Sequence, residues 1–263
     1  MEIFIPSMGR ADMQHTLKEL MGASPYPISV VVTEDEFSEY CGALPPGASI
    51  HSVPRFFQGI AATRQFIMST LATSDHVVMM DDDLSFAVRR TDEPDKFRTA
   101  TKDDIRWMLQ QLHALLHRYA HVSVAMREGA NRRTDDVITC TRVARVIGYD
   151  RNVFLAEGAD FRNSIVQDDF EVTLHLLTRG YKNGVLNSFV QNQRGSGTAG
   201  GASAYRTMDV QKRSCELLAS RYPQFVKPVV KKTKTAWGGQ ERTDVIVQWK
   251  AAHQSGVNRY GDR

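Results

Sequence analysis

Cysteine is scarce in this chain of 263 residues: Cys41, Cys140 and Cys215 are far apart and odd in number. That excludes a disulfide-built fold and suggests reduced thiols in a cytoplasm. Long hydrophobic runs are missing too, since none approaches the roughly 20 residues that span a bilayer. The first residues enter a strand-like run with no basic segment or cleavage site before it. Charge of one sign is also absent: 33 basic residues face 30 acidic ones, a formal net charge of +3. Such a balance permits nucleic acid as a partner without arguing for it. The chain shows no internal repeat, linker or low-complexity block. With 42% hydrophobic and 24% charged residues, it has the composition of an ordinary globular protein. A single soluble domain over residues 1–263 is expected, large enough to bury a core without staples.

Short apolar runs alternate with amphipathic ones. Ile3 to Ile5, Ile28 to Val32, Ile50 to Val53 and His76 to Met80 read as buried strands. Helices are predicted from about Asp12 to Met21, from Asp35 to Tyr40 and from Gly59 to Leu71. This alternation predicts an α/β fold with a mostly parallel sheet flanked by helices. Lys102 to Ala120 is the clearest helix, with Ile105, Leu109, Leu112, Leu116 and Tyr119 on one stripe and a Thr101/Asp104 capping box. Val122 to Met126 and Val137 to Ile147 are β-rich, Phe170 to Thr178 helical, Val185 to Gln191 a strand and Thr207 to Arg221 helical. The second half, from about residue 101, therefore predicts a mixed-sheet partner to a first half of about 100 residues.

Asp81, Asp82 and Asp83 directly follow the fourth strand. In open parallel sheets, ligands bind beyond the carboxyl ends of strands. Adjacent carboxylates there repel one another unless a cation compensates, and hard oxygen ligands suit Mn2+ or Mg2+. Asp81 and Asp83 converge if the segment is extended; a solvated acidic turn is the alternative. On the same rim lie Pro6, Ser7 and Arg10 after strand one, Thr33 and Glu34 after strand two, and Arg64 before strand four. An arginine-bearing loop can hold a diphosphate, and a carboxylate can bind a ribose or base.

Asp168 and Asp169 stand together at a helix start, either as general bases or with Asp168 as an N-cap. The run from Gly195 to Gly201 formally contains G-x-G-x-x-G, but too little chain follows for a dinucleotide-binding half. It suits a flap over a ligand, or a plain loop. His113, His117 and His121 recur every four residues, a spacing open to metal binding or to a solvated helix flank. Trp107 and Trp249 read as partly buried packing residues. From Arg221 onward, nine Lys or Arg face three Asp or Glu. Lys227, Lys231, Lys232 and Lys234 could follow a phosphate backbone or simply face solvent.

The order of Ile3 to Arg10, Gly59 to Arg64, Asp81 to Asp83 and Gln167-Asp168-Asp169 resembles that of GT-A glycosyltransferases. Gly200 to Thr207, Tyr222 to Val226 and Val247 to Ala251 are similar to the TET-associated glycosyltransferases of bacteriophages. The resemblance implies a nucleotide-diphosphate sugar donor, UDP-linked by analogy, and Mn2+ or Mg2+ as cofactor. Asp83 would be the main metal ligand, while Asp81 would hold the metal or the ribose. Asp82 would face the sugar or turn away. Pro6, Ser7 and Arg10 would line the nucleotide pocket, with Thr33, Glu34 and Arg64 at the nucleoside end. Asp168 or Asp169 would be the base of an inverting transfer. Gly200, Gly201, Tyr205 and Arg206 would form the flap or acceptor side. The acceptor implied is 5-hydroxymethylcytosine or a related base in phage DNA, in a host cytoplasm. A polysaccharide, protein or small-molecule acceptor is the enzymatic alternative. A nucleic-acid-binding module without catalysis would leave the carboxylate rim unexplained.

Overall fold

The computed structural model describes residues 1–193, 201, 205–232 and 241–256. Four parallel strands open the chain: β1 (Glu2–Pro6), β2 (Ile28–Thr33), β3 (Ser49–Val53) and β4 (His76–Met80), side by side in the order β3-β2-β1-β4. Three helices connect them: α1 (His15–Leu20), α2 (Phe37–Ala43) and α3 (Gly59–Phe66), the last running into a π-helical turn at Ile67–Leu71. Successive side chains of a strand face opposite sides, and the packing follows. Ile3, Ile5, Val30, Val32, Val78 and Met80 join one core, whereas Phe4, Val31, Val77 and Met79 join the core on the other face. Both faces are covered, so these strands read as continuous apolar runs.

After β4 the chain turns sharply through residues 81–83 and crosses the sheet. β5 (Leu84–Arg89) and β6 (Phe97–Thr99) form its far edge. Helix α4 (Lys102–Leu116) precedes β7 (His121–Met126), β8 (Val137–Thr139) and β9 (Val146–Asp150). Helices α5 (Arg151–Ala156) and α6 (Asp168–Leu177) lead to β10 (Asn183–Gln193). The sheet reads β3-β2-β1-β4-β9-β7-β10-β5-β6, with β8 beside β10. β9 is antiparallel to β4 and β7, and β5 is antiparallel to β10. Residues before 100 therefore supply both sheet edges, and a cut near residue 100 does not separate two halves in space.

The capping box of α4 forms as expected: Thr101 Oγ1 accepts from the Asp104 amide, and the Asp104 carboxylate accepts from the Thr101 amide at 2.7 Å. Ile105, Leu109, Leu112 and Leu116 are buried along this helix, each contributing about 1.5–3 kcal/mol by burial. The helix stops at Leu116, so Tyr119 lies beyond it and His121 is buried in β7 rather than on the helical flank. Trp107, expected partly buried, is 56% exposed. The first helix begins at His15 rather than Asp12, with Arg10 and Gln14 drawn into the polar rim and Ala11 into the core. The β-rich stretch 137–147 is broken by positive φ at Cys140 (49°) and Arg145 (63°).

The C-terminal part carries more structure than its pattern predicted. Helix α7 (Met208–Arg221) is followed by a two-stranded antiparallel ribbon, β11 (Val226–Lys232) and β12 (Glu241–Val247), and by α8 (Trp249–Gln254). Phe170, Leu174, Cys215, Leu218, Val226, Val245 and Ala252 bury one another in a third core that fixes this unit to α6. No helix among the described residues is long and apolar enough to cross a membrane.

Candidate active site

The turn after β4 and the loop after β1 meet through an arginine. Arg10 Nη1 donates to Asp82 Oδ1 at 2.7 Å and to Asp83 Oδ2 at 3.1 Å. Ser7 Oγ donates to Asp82 Oδ2 at 2.5 Å and accepts from Gln14 Nε2 at 2.7 Å. With its one proton given to Asp82, Ser7 accepts the Tyr40 hydroxyl at 2.8 Å. Tyr40 Oη in turn accepts the Arg10 amide at 2.9 Å. Gln193, the last residue of β10, donates to Asp83 Oδ2 at 2.9 Å. Thr16 locks the turn by donating to the Asp81 carbonyl and accepting the Leu84 amide. The segment is thus a turn rather than an extended strand end, and Asp82 and Asp83 are the two carboxylates that share Arg10.

A second arginine joins the other elements. Arg64 of α3 donates from Nη1 to Asp168 Oδ2 at 2.7 Å and from Nη2 to Asp81 Oδ1 at 2.8 Å. The Arg64 and Asp168 side chains are about 5% exposed, and that of Asp81 is 28% exposed. Expected at a nucleoside, Arg64 is instead a buried strut with both terminal nitrogens engaged by carboxylates. The N-cap of α6 is Gln167, so Asp168 occupies the first helical turn without acting as the cap.

Electrostatics follow from this enclosure. Burial pushes the Asp81 carboxyl up to about 7, reinforced by Asp83 and Asp82 and opposed by Arg64. Burial also raises Asp82, against Ser7 and Arg10. Burial alone would lower Arg64, but Asp168 and Asp81 outweigh it and hold the guanidinium firmly protonated. Asp169 is raised by burial, with Arg142 pulling the other way and Asp168 adding to the rise. Asp83 Oδ1 is buried and has no hydrogen-bond partner among the described residues. A buried acceptor left unmatched is costly, and hard oxygens so clustered fit a divalent cation.

Asp169 points elsewhere than Asp168. It lines a polar cavity of about 110 Å³ with Arg142, Gln167, Arg206, Arg242 and Asp244. Two of the expected residues, Asp169 and Arg206, therefore meet in one space. Tyr205 Oη accepts the Ile60 amide at 3.1 Å and lies 3.4 Å from where a Cβ on Gly59 would stand. Gly59 has φ of +82°, so a side chain there would be strained as well as crowded. The Gly201 amide donates to the Met8 carbonyl at 2.9 Å, which sets the glycine segment's end over the β1 loop. Gly200 lies outside the described residues, as does Lys234.

Pro6 ends β1, buried beneath this network, and Thr33 ends β2. Glu34 is exposed and accepts the Arg55 amide at 3.3 Å, apart from both arginine networks. Its neighbour Glu36 reaches the β1 loop instead, accepting the Gly9 amide at 2.9 Å with Oε1, while its buried Oε2 has no partner among the described residues. Gln14, Glu36, Tyr40, Arg142 and Gln193 carried no motif in the sequence. Only Gln193, at a strand end before the glycine run, had a positional signal. Lys227, Lys231 and Lys232 are exposed on β11, and Lys231 pairs with Asp244 at 3.1 Å.

A family model described as TET-Associated Glycosyltransferase matches residues 1–201. Among solved structures, the mannosyltransferase PcManGT from Pyrobaculum calidifontis, in complex with GDP-Man and Mn2+, is similar in fold with a TM-score of 0.54 at 14% identity. The match covers 85% of this chain and 64% of that one, so the chain spans under two thirds of that protein's length. The galactosyltransferase LgtC, in complex with donor and acceptor sugar analogs, gives a TM-score of 0.40 at 13% identity, covering 67% of this chain and 70% of that one. No curated protein matches the sequence. The fold is that of the GT-A enzymes, and with three quarters of its length matched by one family model, the chain belongs to the TET-associated glycosyltransferases.

Proposed function

We propose that the enzyme moves a sugar from a nucleotide-diphosphate donor, held with Mn2+ or Mg2+ at the β4 rim, to a hydroxymethylated base in DNA. The unpartnered Asp83 Oδ1, set among three carboxylates, is the observation that carries this reading. Asp83 and Asp81 would hold the cation, which when bound neutralises charge building on the departing diphosphate. Arg10 keeps Asp82 and Asp83 in place and, from the β1 loop, offers a donor to phosphate oxygens. Ser7, Pro6 and Tyr40 shape the floor of the nucleotide pocket. Glu36, with its buried and unmatched oxygen, suits a ribose hydroxyl better than the exposed Glu34 does.

For the acceptor, Asp169 is the better base. A hydroxyl is a weak nucleophile, and a carboxylate within hydrogen-bond reach can take its proton as the bond to the sugar forms. Asp169 faces the open polar cavity, and its raised affinity for a proton suits that task. Asp168 is committed to Arg64 and acts by positioning. Attack from the Asp169 side, opposite the diphosphate, would invert the anomeric carbon. Arg142 and Arg206 line the same cavity and suit an acceptor carrying phosphate. The family's name and the GDP-Man and Mn2+ of the mannosyltransferase are consistent with this reading.

Incubation with a panel of nucleotide sugars, Mn2+ and DNA containing 5-hydroxymethylcytosine, followed by nucleoside mass spectrometry, tests it. A hexose mass added to the modified nucleoside is expected. Donor turnover on polysaccharide or small-molecule acceptors with unmodified DNA product would sink the DNA assignment, and absence of any donor turnover would sink the transfer.

A further inference from the structure

Three histidines gather at the end of the sheet opposite the carboxylate rim. His76 is the first residue of β4, His113 lies in the last turn of α4, and His117 caps that helix. A coordinating nitrogen from each lies within 4.8 Å of the others. The three rings pack edge-on or tilted with centroids 4.7–5.1 Å apart. The sequence spacing grouped His113 and His117 with His121, but His121 is buried in β7 and its place is taken by His76 from another strand.

We propose that His76, His113 and His117 form a binding site for a Zn2+-class cation, with a fourth position open to water or a further ligand. Imidazole nitrogens suit Zn2+ and its neighbours rather than the Mn2+ or Mg2+ that carboxylates favour. A tetrahedral site with Zn–N bonds near 2.0–2.1 Å places its nitrogens about 3.4 Å apart. The nitrogens stand within 4.8 Å of one another, and closing to that spacing falls to rotation of the exposed His117 and the half-buried His76 rings. An outer partner is already present, since Tyr26 Oη lies 3.0 Å from His113 Nδ1, which leaves Nε2 for the ion. Metal-bound histidines use such a contact to fix the ring. The C-terminal end of α4 points at the cluster and the carboxylates of Asp150 and Asp75 act on His76, while the N-terminal ammonium acts on His76 and His113 in the opposite sense. Burial lowers both His76 and His113.

The site lies a full strand away from the carboxylates, about 16 Å along β4, so it is separate from the donor site and does not depend on the proposed transfer. A bound ion would clamp the start of β4 to the end of α4.

Zn2+ titrated by calorimetry into the full chain, freed of any polyhistidine tag, tests the site. Asp83→Ala serves as the reference background, so that carboxylate binding does not obscure it. The reference is expected to bind one Zn2+, and to show the intense visible absorption of tetrahedral Co2+ when that ion replaces it. Adding His117→Ala, at an exposed position that leaves the fold intact, should weaken Zn2+ at least tenfold and abolish the band. Tyr26→Phe should weaken it by about tenfold with the band retained. Equal Zn2+ affinity with and without His117, or a reference giving only the weak absorption of octahedral Co2+, would overturn the proposal.

Discussion

Arg64 and Asp168 lie 104 positions apart in sequence, yet their side chains meet at 2.7 Å with both almost wholly withdrawn from water. The same guanidinium reaches Asp81 at 2.8 Å, so one residue of α3 ties the start of α6 to the turn after β4. The two acidic motifs are therefore coupled mechanically through a single cation.

Arg64→Met should accordingly destabilise the protein by about 3–5 kcal/mol, because a buried carboxylate is left without its partner. Urea denaturation followed by circular dichroism measures it. Asp168→Leu in the same chain should recover much of the loss, whereas additive losses in the double variant would show that the pair is not coupled.

Asp83→Ala should lower transfer by at least about 100-fold and lower the melting temperature modestly, because Arg10 and Gln193 lose the acceptor they share. Loss of the unpartnered Oδ1 costs folding nothing, so the stability change reads only the Oδ2 contacts and is separable from the loss of activity. A steady-state assay over a Mn2+ series checks this, and full activity in the variant would remove Asp83 from the cation site.

The pH dependence has a definite sign. With its carboxyl at about 7 when folded against about 3.9 when unfolded, Asp81 binds more protons in the native state between those values. Without metal, its contribution to stability is greatest below about pH 4 and is lost as pH rises toward 7. A cation needs the ionised form, so Mn2+ affinity should increase over that interval with release of a proton. Calorimetry in buffers of different ionisation enthalpy reads the proton, and Asp81→Asn should flatten both trends.

Asp169→Asn should reduce transfer by about 10²–10⁴-fold while donor affinity, read by displacement of a nucleotide-diphosphate sugar, stays within about threefold. Asp168→Asn should instead impair stability. The opposite pattern would exchange the roles of the two residues.

Neutralising Lys227 and Lys232 should weaken DNA binding, and every phosphate no longer neutralised by a lysine should reduce the slope of log affinity against log salt by about 0.9. Lys231 should matter less, because Asp244 already engages it. Fluorescence anisotropy across a salt series decides, and an unaltered slope would clear the ribbon of a role.

Local pattern carried much of this molecule. The four apolar runs, the Thr101/Asp104 box and the Asp81–Asp83 turn after β4 are visible in sequence because period, capping and strand-end position are short-range features. β5 escaped notice because one partner, β10, lies about a hundred residues downstream, and β6 because it is a three-residue edge strand paired only with β5. The ribbon of β11 and β12 was hidden for a different reason, its strands being too polar and too exposed to show a core face.

An α/β chain with carboxylates at a strand end and a second acidic pair at a helix start is legible residue by residue, since backbone propensity and hydrophobic period act between near neighbours. Which carboxylate meets which cation emerges on folding: Arg10 with Asp82 and Asp83, Arg64 with Asp81 and Asp168, and Asp169 left to the cavity. Folding also exchanges His121 for His76 in the histidine cluster. Charged and coordinating groups act through distances of a few ångströms, and those distances exist only once strands remote in sequence lie side by side.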